Sequence, residues 1–395
     1  SRTSAMAYRD TTRTAPQIAR ELDVDLIVEG ALARDGDRLL VSVRLVDART
    51  DDDLWAWRAE RTAGDLLTMQ AELAAAITLH LHAVISPRQE QARAALAGID
   101  PAAYDEYLRG RQAFHRRTPA DLTSAERHFR AALARAPGFA MAHAALAETH
   151  ALRALDAFGA TNARTHLEAA DRAATAAVAL DASNADAHLA LAMVRHRRDW
   201  NWAAAEQAYR RALDLHESHA TAHQWYAIFL AEQRRRAEAV THADRAAALD
   251  PASAPVLRTA GLVRLYAGRL DDARDWLERA RRVAPADDVS RLMLATIHLA
   301  AGRPIPARAL AEAGRDEALE DQRLAVLVHA ARLARDEAAA TRWREAFLRR
   351  PAPRSLVAEA RVHLAYGDEA ALIATAERAV ATRTQLACAL LVHPV

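Results

Sequence analysis

The residues that come closest to a catalytic motif are His216, Glu217, Ser218 and His219. Two histidines and a glutamate on one helix can hold a zinc ion and activate its bound water. That chemistry needs two residues between the glutamate and the second histidine, and only Ser218 stands there. The stretch also falls in a predicted loop between two helices. The sequence therefore predicts no zinc site at this position.

Other candidate ligands are histidines that recur at one place in successive predicted helices, namely His143, His188 and His223. They share that place once one extra residue is allowed in the turn from Asp199 to Trp202. A ladder of metal ligands is conceivable, but no acid or cysteine recurs beside them. We therefore favour imidazole rings that pack between helices. The acidic run Asp51-Asp52-Asp53 could hold a cation, and a solvated turn is the favoured interpretation.

Lysine is absent, so all 53 basic residues are arginine. A phosphate-loop lysine, a Schiff base and the kinase strand lysine are thereby excluded from this chain. A bacterial genome rich in G and C is sufficient to explain the missing lysine. The sequence also holds no nucleophile elbow, glycine-rich phosphate loop or metal tetrad. We predict no catalytic, cofactor-binding or metal-binding residues, and hence no enzyme and no cofactor.

Composition limits the environment and the partners of the chain. The net charge is +1 and the arginines are scattered, which disfavours direct nucleic-acid binding. The single cysteine, Cys388, forbids an internal disulfide. The longest apolar stretch, 66–86, carries Gln70 and Glu72, so it predicts an amphipathic helix and no membrane span. No charged and then apolar leader opens the chain. These features favour a cytoplasmic location and leave the periplasm open.

The elements that must position any site follow a period of 34 residues. Glu217, Pro251 and Pro285 are 34 residues apart in turn, and each closes a block when it is numbered position 32. Small residues then recur at three positions: at 8 (Ala227, Gly261, Ala295), at 20 (Ala205, Ala239, Ala273) and at 27 (Ala212, Ala246, Ala280). Small side chains at these places let the two helices of a pair approach closely.

Other positions of the block predict packing between pairs and the ends of helices. Large residues at position 24, such as Tyr209 and Leu277, are expected to fill the space between neighbouring pairs. Gly268 and Gly302 occupy a shared turn position that needs a positive φ. Proline at position 32 ends the second helix. These features resemble the tetratricopeptide (TPR) repeat over about residues 101–383, or about eight helix pairs.

The repeats have one irregular block. Between Pro137 and Ala182 it runs for 45 residues, with the extra residues around Ala151 to Arg164. An extended helix pair and a protruding loop both fit this insertion.

Residues 1–86 predict a small α+β unit. A helix over 15–23 precedes strands at 25–34, 38–48 and 53–61, and Asp35-Gly36-Asp37 joins the first two as a hairpin. One face of the second strand carries Leu39, Val41, Val43 and Leu45. A helix over 63–82 is expected to cover the sheet through Leu66, Leu73, Ile77 and Leu81. Trp55 and Trp57 share one strand face and are expected to pack in the core.

A second resemblance rests on short segments in order within residues 1–86. They include Ile18-Ala19-Arg20-Glu21-Leu22-Asp23, Val28-Glu29-Gly30-Ala31, Arg44-Leu45-Val46-Asp47-Ala48 and Leu54-Trp55-Ala56. Together they resemble the second half of the TolB-like amino-terminal domain of bacterial signalling proteins, which commonly precedes a TPR array. The family's opening strand and helix are absent before Ser1.

The two resemblances define the predicted architecture. The fold class is mainly α, a TPR-type right-handed α-solenoid preceded by a small, truncated α+β domain. The domains are a partial TolB-like unit at 1–86, a linker at 87–100 and a solenoid at 101–395.

The resemblance also implies where a partner would bind. In such arrays positions 5, 9 and 12 of the first helices line a concave groove for a protein or peptide. With the one-residue shift before Asp199, the groove residues are Leu189, Met193, His196, Gln224, Ile228, Arg258, Leu262 and Leu265. Their apolar lining with a few polar anchors suits an amphipathic helix or an extended peptide.

Family members often carry an output domain further upstream, which can be a CadC-type winged helix, an adenylate cyclase or a protein kinase. The resemblance therefore implies a non-catalytic regulatory and interaction region of a bacterial signalling protein, with a transcriptional regulator as the leading interpretation. The sensor region of a cyclase or kinase is the first alternative. An assembly scaffold is the second.

Overall fold

The computed structural model of the chain describes residues 13–22, 24–35, 38–47, 53–62, 98–155 and 163–381, with a few isolated positions before residue 78. These residues fall into two compact units. One comprises 2–110 and 128–139, and the other comprises 111–127 and 140–395.

Near the amino terminus, helix α1 (Ala15–Leu22) precedes three strands, β1 (Leu26–Asp35), β2 (Arg38–Asp47) and β3 (Asp53–Thr62). The strands form one antiparallel sheet in the order β1-β2-β3. The first pair runs in register from Leu26 opposite Asp47 to Asp35 opposite Arg38. The predicted helix and strands are confirmed to within one residue at each end. The hairpin turn at 36–37 lies outside the described residues.

One face of β2 forms the core of the sheet. Leu39, Val41, Val43 and Leu45 are all buried, as their period-two spacing predicts. Trp55 and Trp57 of β3 pack against this face together with Met69, Leu73 and Ile77, which confirms the predicted core packing of the two tryptophans. Most of the predicted helix at 63–82, the linker, the Asp51-Asp52 pair and Cys388 lie outside the described residues.

Beyond residue 100 the described chain is helical, with sixteen α-helices in eight successive pairs. The pairs are α2 (Pro101–Arg116) with α3 (Pro119–Arg135), α4 (Ala140–Arg153) with α5 (Ala163–Leu180), α6 (Ala185–Val194) with α7 (Trp202–Leu215), α8 (Ala220–Glu232) with α9 (Arg236–Leu249), α10 (Ala254–Tyr266) with α11 (Leu270–Val283), α12 (Asp288–Ala300) with α13 (Pro304–Glu312), α14 (Glu320–Leu333) with α15 (Glu337–Leu348), and α16 (Leu356–Tyr366) with α17 (Glu369–Ala381). A 3₁₀ turn, Glu317–Leu319, precedes α14.

The small residues of the repeat lie where the two helices of a pair meet. The alanines at positions 8, 20 and 27 of the three central blocks are completely buried. A Cβ added to Gly261 would lie only 2.8 Å from Cγ of Leu277 and 3.1 Å from the carbonyl oxygen of Ala273. Tyr209 and Leu277 at position 24 are also fully buried. The repeat register predicted from sequence is therefore confirmed.

The turns inside the pairs recur with the same period. Trp200, Arg234, Gly268 and Gly302 all have a positive φ, and each is 34 residues after the one before. Arg335 and Gly367 continue the series at slightly shorter intervals. The positive φ predicted for Gly268 and Gly302 is therefore confirmed. Two of the turns hold arginine at this position, although a side chain makes the conformation less favourable than glycine does.

A π-helical turn accommodates the one extra residue of the third pair. Arg195–Asp199 form this turn at the end of α6, and Trp200 follows with φ 54. A π turn places one more residue in a helical turn without ending the helix. The irregularity around Asp199 in the sequence is thus a local widening of α6. In the second pair, α5 is the longest of the described helices, whereas residues 156–162 of the predicted insertion lie outside the described part of the chain.

Candidate ligand-binding cavity

A cavity of about 290 Å³ lies among the first helices of five successive pairs, α8, α10, α12, α14 and α16. First helices meet there because α8 contacts α10 and α14 contacts α16 directly. Most of its lining is apolar, with polar groups at a few places. The lining residues are Arg117, Leu152, Leu155, Gln224, Trp225, Ile228, Arg258, Thr259, Leu262, Tyr266, Val289, Leu292, Met293, Thr296, Leu319, Gln322, Val326, Val357, Ala358 and Arg361.

Four of the eight predicted groove residues line this cavity. They are Gln224 and Ile228 on α8 and Arg258 and Leu262 on α10. Both helices follow the 34-residue period without interruption, so the same offsets place the same faces side by side. That a peptide binds there stays a prediction.

The other four predicted residues do not line the cavity, and their assignment to its wall is corrected. Leu189 and Met193 belong to α6, where every side chain from 189 to 194 is buried. This helix packs against α4, α5 and α7 and so presents no open face in that stretch. Leu265 is buried against Leu277, Leu294 and Ile297, between its own pair and the next.

His196, the fourth of these, is fully buried in the π-helical turn. Its Nε2 lies 2.6 Å from Oε2 of Glu232, and its Nδ1 lies 3.3 Å from the hydroxyl of Tyr209. Arg197 donates to the other carboxylate oxygen of Glu232 at 3.4 Å. Burial lowers the pKa of His196, although the negative charge of Glu232 acts in the opposite direction. These contacts tie the π-helical turn to the end of α8.

Sequence offsets alone missed Arg117, Gln322 and Arg361. A usable signal exists for Arg361, because it stands six residues before the left-handed residue of its turn, as Ile228, Leu262 and Thr296 do. Counting from the prolines loses this register, since the spacing of the turns shortens after Gly302. Arg117 lies in the turn after α2, far away along the chain, and no periodic pattern brings it to the cavity.

The three arginines of the cavity differ in their partners. Arg258 donates to Oδ2 of Asp287 at 2.7 Å. Among the described residues, no carboxylate is hydrogen-bonded or ion-paired to Arg117 or Arg361. Burial, followed by the positive charge of Arg258, lowers the pKa of Arg117 to about 10. Burial lowers the pKa of Arg361 to about 10 as well. Both guanidinium groups therefore remain charged at neutral pH.

Two amide groups at the cavity have an unused acceptor. The Gln224 side chain donates to the carbonyl of Pro255 at 3.2 Å and to the hydroxyl of Thr259 at 3.1 Å. Its Oε1 is buried and has no hydrogen-bond partner, and the same holds for Oε1 of Gln322. The cavity thus combines an apolar wall, two cations without a paired acid and two unused acceptors.

The near-miss of a zinc motif lies between helices, as predicted from its position in the repeat. Its four residues connect α7 to α8. His219 caps α8 by accepting from the backbone N–H of Ala222, and its Nε2 donates to Asp186 at 2.7 Å. Burial opposes protonation of His219, but the hydrogen bond and charge of Asp186 outweigh it and raise the pKa of the imidazole. The second histidine is thus used in holding two repeats together.

No protein-family model matches the chain. Among curated proteins it is similar to a putative adenylate cyclase 3 of Rhizobium meliloti, with 32% identity over 145 residues. That match spans 37% of this chain and 25% of the relative, so the chain covers about a quarter of that relative's length.

Among solved structures the chain is similar to IFIT1, a monomeric mutant solved with Gppp-AAAA. The TM-score is 0.56 at 14% identity, over 70% of each chain. It is also similar to PilF of Pseudomonas aeruginosa (TM-score 0.43, 24% identity, 58% of this chain and 97% of that one) and to a tetratricopeptide repeat protein of Parabacteroides merdae (TM-score 0.44, 13% identity, 67% and 99%). In the part of the chain that the structure describes, no helix is both long and apolar enough to cross a membrane. The eight helix pairs, their period and the likeness to IFIT1 establish a mainly α, TPR-type solenoid preceded by a small antiparallel sheet.

Proposed function

We propose that this chain is a non-catalytic regulatory and protein-interaction region of a bacterial signalling protein. The observation that carries the proposal is the cavity that five successive first helices share. A ligand or partner segment held there contacts five helix pairs at once. Because stacked repeats contact mainly their neighbours, binding that draws five of them together changes their mutual packing. Such a change can alter how an attached output domain is presented.

A partner-recovery experiment tests the interaction. Gln224→Ala combined with Arg258→Ala removes two polar anchors of the cavity wall. We expect the double variant, used as bait, to recover the partner at least about 10-fold less well than the unchanged chain, as loss of buried polar contacts at an interface predicts. Arg282→Ala, an exposed substitution on α11, is the control. Equal recovery by all three baits contradicts the proposal.

The output domain has two candidates from different classes. Similarity to a putative adenylate cyclase favours a cyclase. The TolB-like segments at residues 1–86 favour a transcriptional regulator with a winged-helix DNA-binding domain. Sequencing the gene upstream of the Ser1 codon separates the two, because a cyclase catalytic domain and a winged helix have unrelated sequences.

A further inference from the structure

The size of the cavity indicates what class of ligand it takes. Its volume of about 290 Å³ is close to the lower end of the range for small-molecule sites, roughly 300–1,000 Å³. A single turn of α-helix with its side chains occupies about 400 Å³, from a pitch of about 5.4 Å and a diameter of about 10 Å. The enclosed part of the cavity is therefore too small for a helix. A compact organic molecule fits it.

The wall indicates an apolar body for that molecule. Trp225, Ile228, Leu262, Met293 and Val326 all line the cavity. An aliphatic or aromatic group among these side chains is removed from water on every side that they cover, which is favourable in proportion to the area buried. A fully polar ligand would lose its hydration there without gaining equivalent partners.

The polar groups indicate a negative charge. Arg117 and Arg361 bring two guanidinium groups to the cavity, and neither has a paired acid among the described residues. Arg258 differs, since Asp287 neutralises it. A buried guanidinium gains most from a carboxylate or another oxyanion, which accepts two parallel hydrogen bonds from it.

A buried acceptor adds a second and independent indication of a ligand. Gln224 is only 4% exposed, and its Oε1 has no partner although its amide nitrogen is fully used. Buried acceptors are nearly always hydrogen-bonded in folded proteins. A hydroxyl or N–H group on the ligand would complete this one.

We propose that the cavity between the first helices binds a small amphipathic organic acid, with its carboxylate on Arg117 or Arg361 and its apolar body against the wall around Trp225. The proposal rests on the regulatory function proposed above and names the chemical class of its ligand. A compact acid that bridges α8 and α16 contacts the first and the last of the five helices that form the cavity, so it is well placed to act as an effector.

Calorimetric titration of the full chain with octanoate, octanol and acetate tests the charge and the apolar body separately. We expect saturable binding of octanoate, with octanol and acetate each at least about 10-fold weaker, because one lacks the charge and the other lacks the body. Equal affinity for octanoate and octanol overturns the proposal, and so does the absence of saturable binding of octanoate.

Charge-removing variants locate the site. Arg117→Gln and Arg361→Gln keep a polar side chain, and we expect one or both to weaken octanoate binding about 10-fold while octanol binding stays unchanged. Arg282→Gln is the matched control on an exposed surface. Circular dichroism confirms that each variant is folded. If neither cavity variant changes the affinity for octanoate, the site is not this cavity and the proposal is overturned.

The titration needs no partner protein, so it separates this inference from the proposed function. Octanoate binding without partner recovery contradicts only the protein-interaction function. Partner recovery without octanoate binding contradicts only the ligand class.

Discussion

At the scale of single residues, the contact of His223 with His242 gives the clearest dependence on pH. Their Nδ1 atoms are 2.8 Å apart. Burial, and then the neighbouring imidazole, lower the pKa of His242 to about 4. An ordinary histidine titrates near about 6.5. Between these values the unfolded chain takes up a proton that the folded chain refuses, so the free energy of unfolding falls as the pH is lowered.

We therefore predict that His242→Gln makes the chain less sensitive to acid. For each proton taken up only by the unfolded chain, stability changes by up to about 1.4 kcal/mol per pH unit. Urea unfolding at a series of pH values from about 8 to about 5 should give a shallower dependence for the variant than for the unchanged chain. His363→Gln, on α16, is the matched control. Parallel curves for the unchanged chain and His242→Gln would show that the imidazole pair is not responsible.

The residues of the cavity show how far sequence reasoning reaches at this scale. Gln224 and Arg258 were predictable because their helices keep a strict period. His196 was misplaced because a π-helical turn changes the direction of the side chains in it. Arg117 was missed because its approach to Arg258 depends on the packing of distant repeats. A repeat pattern predicts which face a residue lies on and does not predict which distant turn reaches that face.

At the scale of elements, the closest approach inside a helix pair is at Gly261. A methyl group there would meet Cγ of Leu277 and the carbonyl oxygen of Ala273, and the carbonyl cannot rotate away. Alanine favours a helix over glycine by about 1 kcal/mol. Overpacking of a close interface costs about 1–3 kcal/mol. Since both contacts are shorter than ordinary van der Waals distances, we expect the overpacking to be the larger effect.

We predict that Gly261→Ala lowers the free energy of unfolding by about 1–2 kcal/mol, measured by urea unfolding at neutral pH. Gly138→Ala is the matched control, because an added Cβ there has no atom within 4 Å and φ is not positive. We expect the control to stay within about 0.5 kcal/mol of the unchanged chain. A Gly261→Ala chain as stable as the control would contradict the close helix contact.

The elements were the most predictable level of this molecule. The burial of Ala239 and Ala273 follows from their recurrence, and the turns at Gly268 and Gly302 follow from glycine's access to positive φ. The left-handed turn residue Arg234 could not be found in this way. Its conformation is imposed by the helices on both sides, and arginine itself gives no local signal for it.

At the scale of the whole molecule, the sequence predicted the solenoid and its eight pairs because each pair repeats the same local rules. It predicted the small sheet from alternation and turn residues. Function is less accessible, because a TPR-type fold presents a surface and the bound partner depends on side chains that vary between repeats. Arg361 illustrates this point, since it replaces the apolar residue found at the equivalent place in α8 and α10.

The nearest-neighbour organisation of the array leads to a last prediction. The final pair, α16 and α17, packs on the rest chiefly through Ala358 and Val362, which share a core cluster with Leu327 and Phe347. Stability in such arrays is approximately a sum of repeat and interface contributions. A chain truncated after Pro353 should therefore stay folded up to α15, with local loss of protection confined to α14 and α15.

Hydrogen exchange with peptide resolution checks where protection is lost, and urea unfolding checks how much structure remains. We expect the denaturant dependence of the solenoid to fall by about one eighth, since it scales with the surface exposed on unfolding and one of the eight described pairs is removed. Removal of α17 alone, by truncation after Gly367, is the milder comparison and should leave α14 protected. If truncation after Pro353 instead unfolds α8 to α13, stability is shared across the whole array, and a ligand in the cavity would then act on all the repeats together.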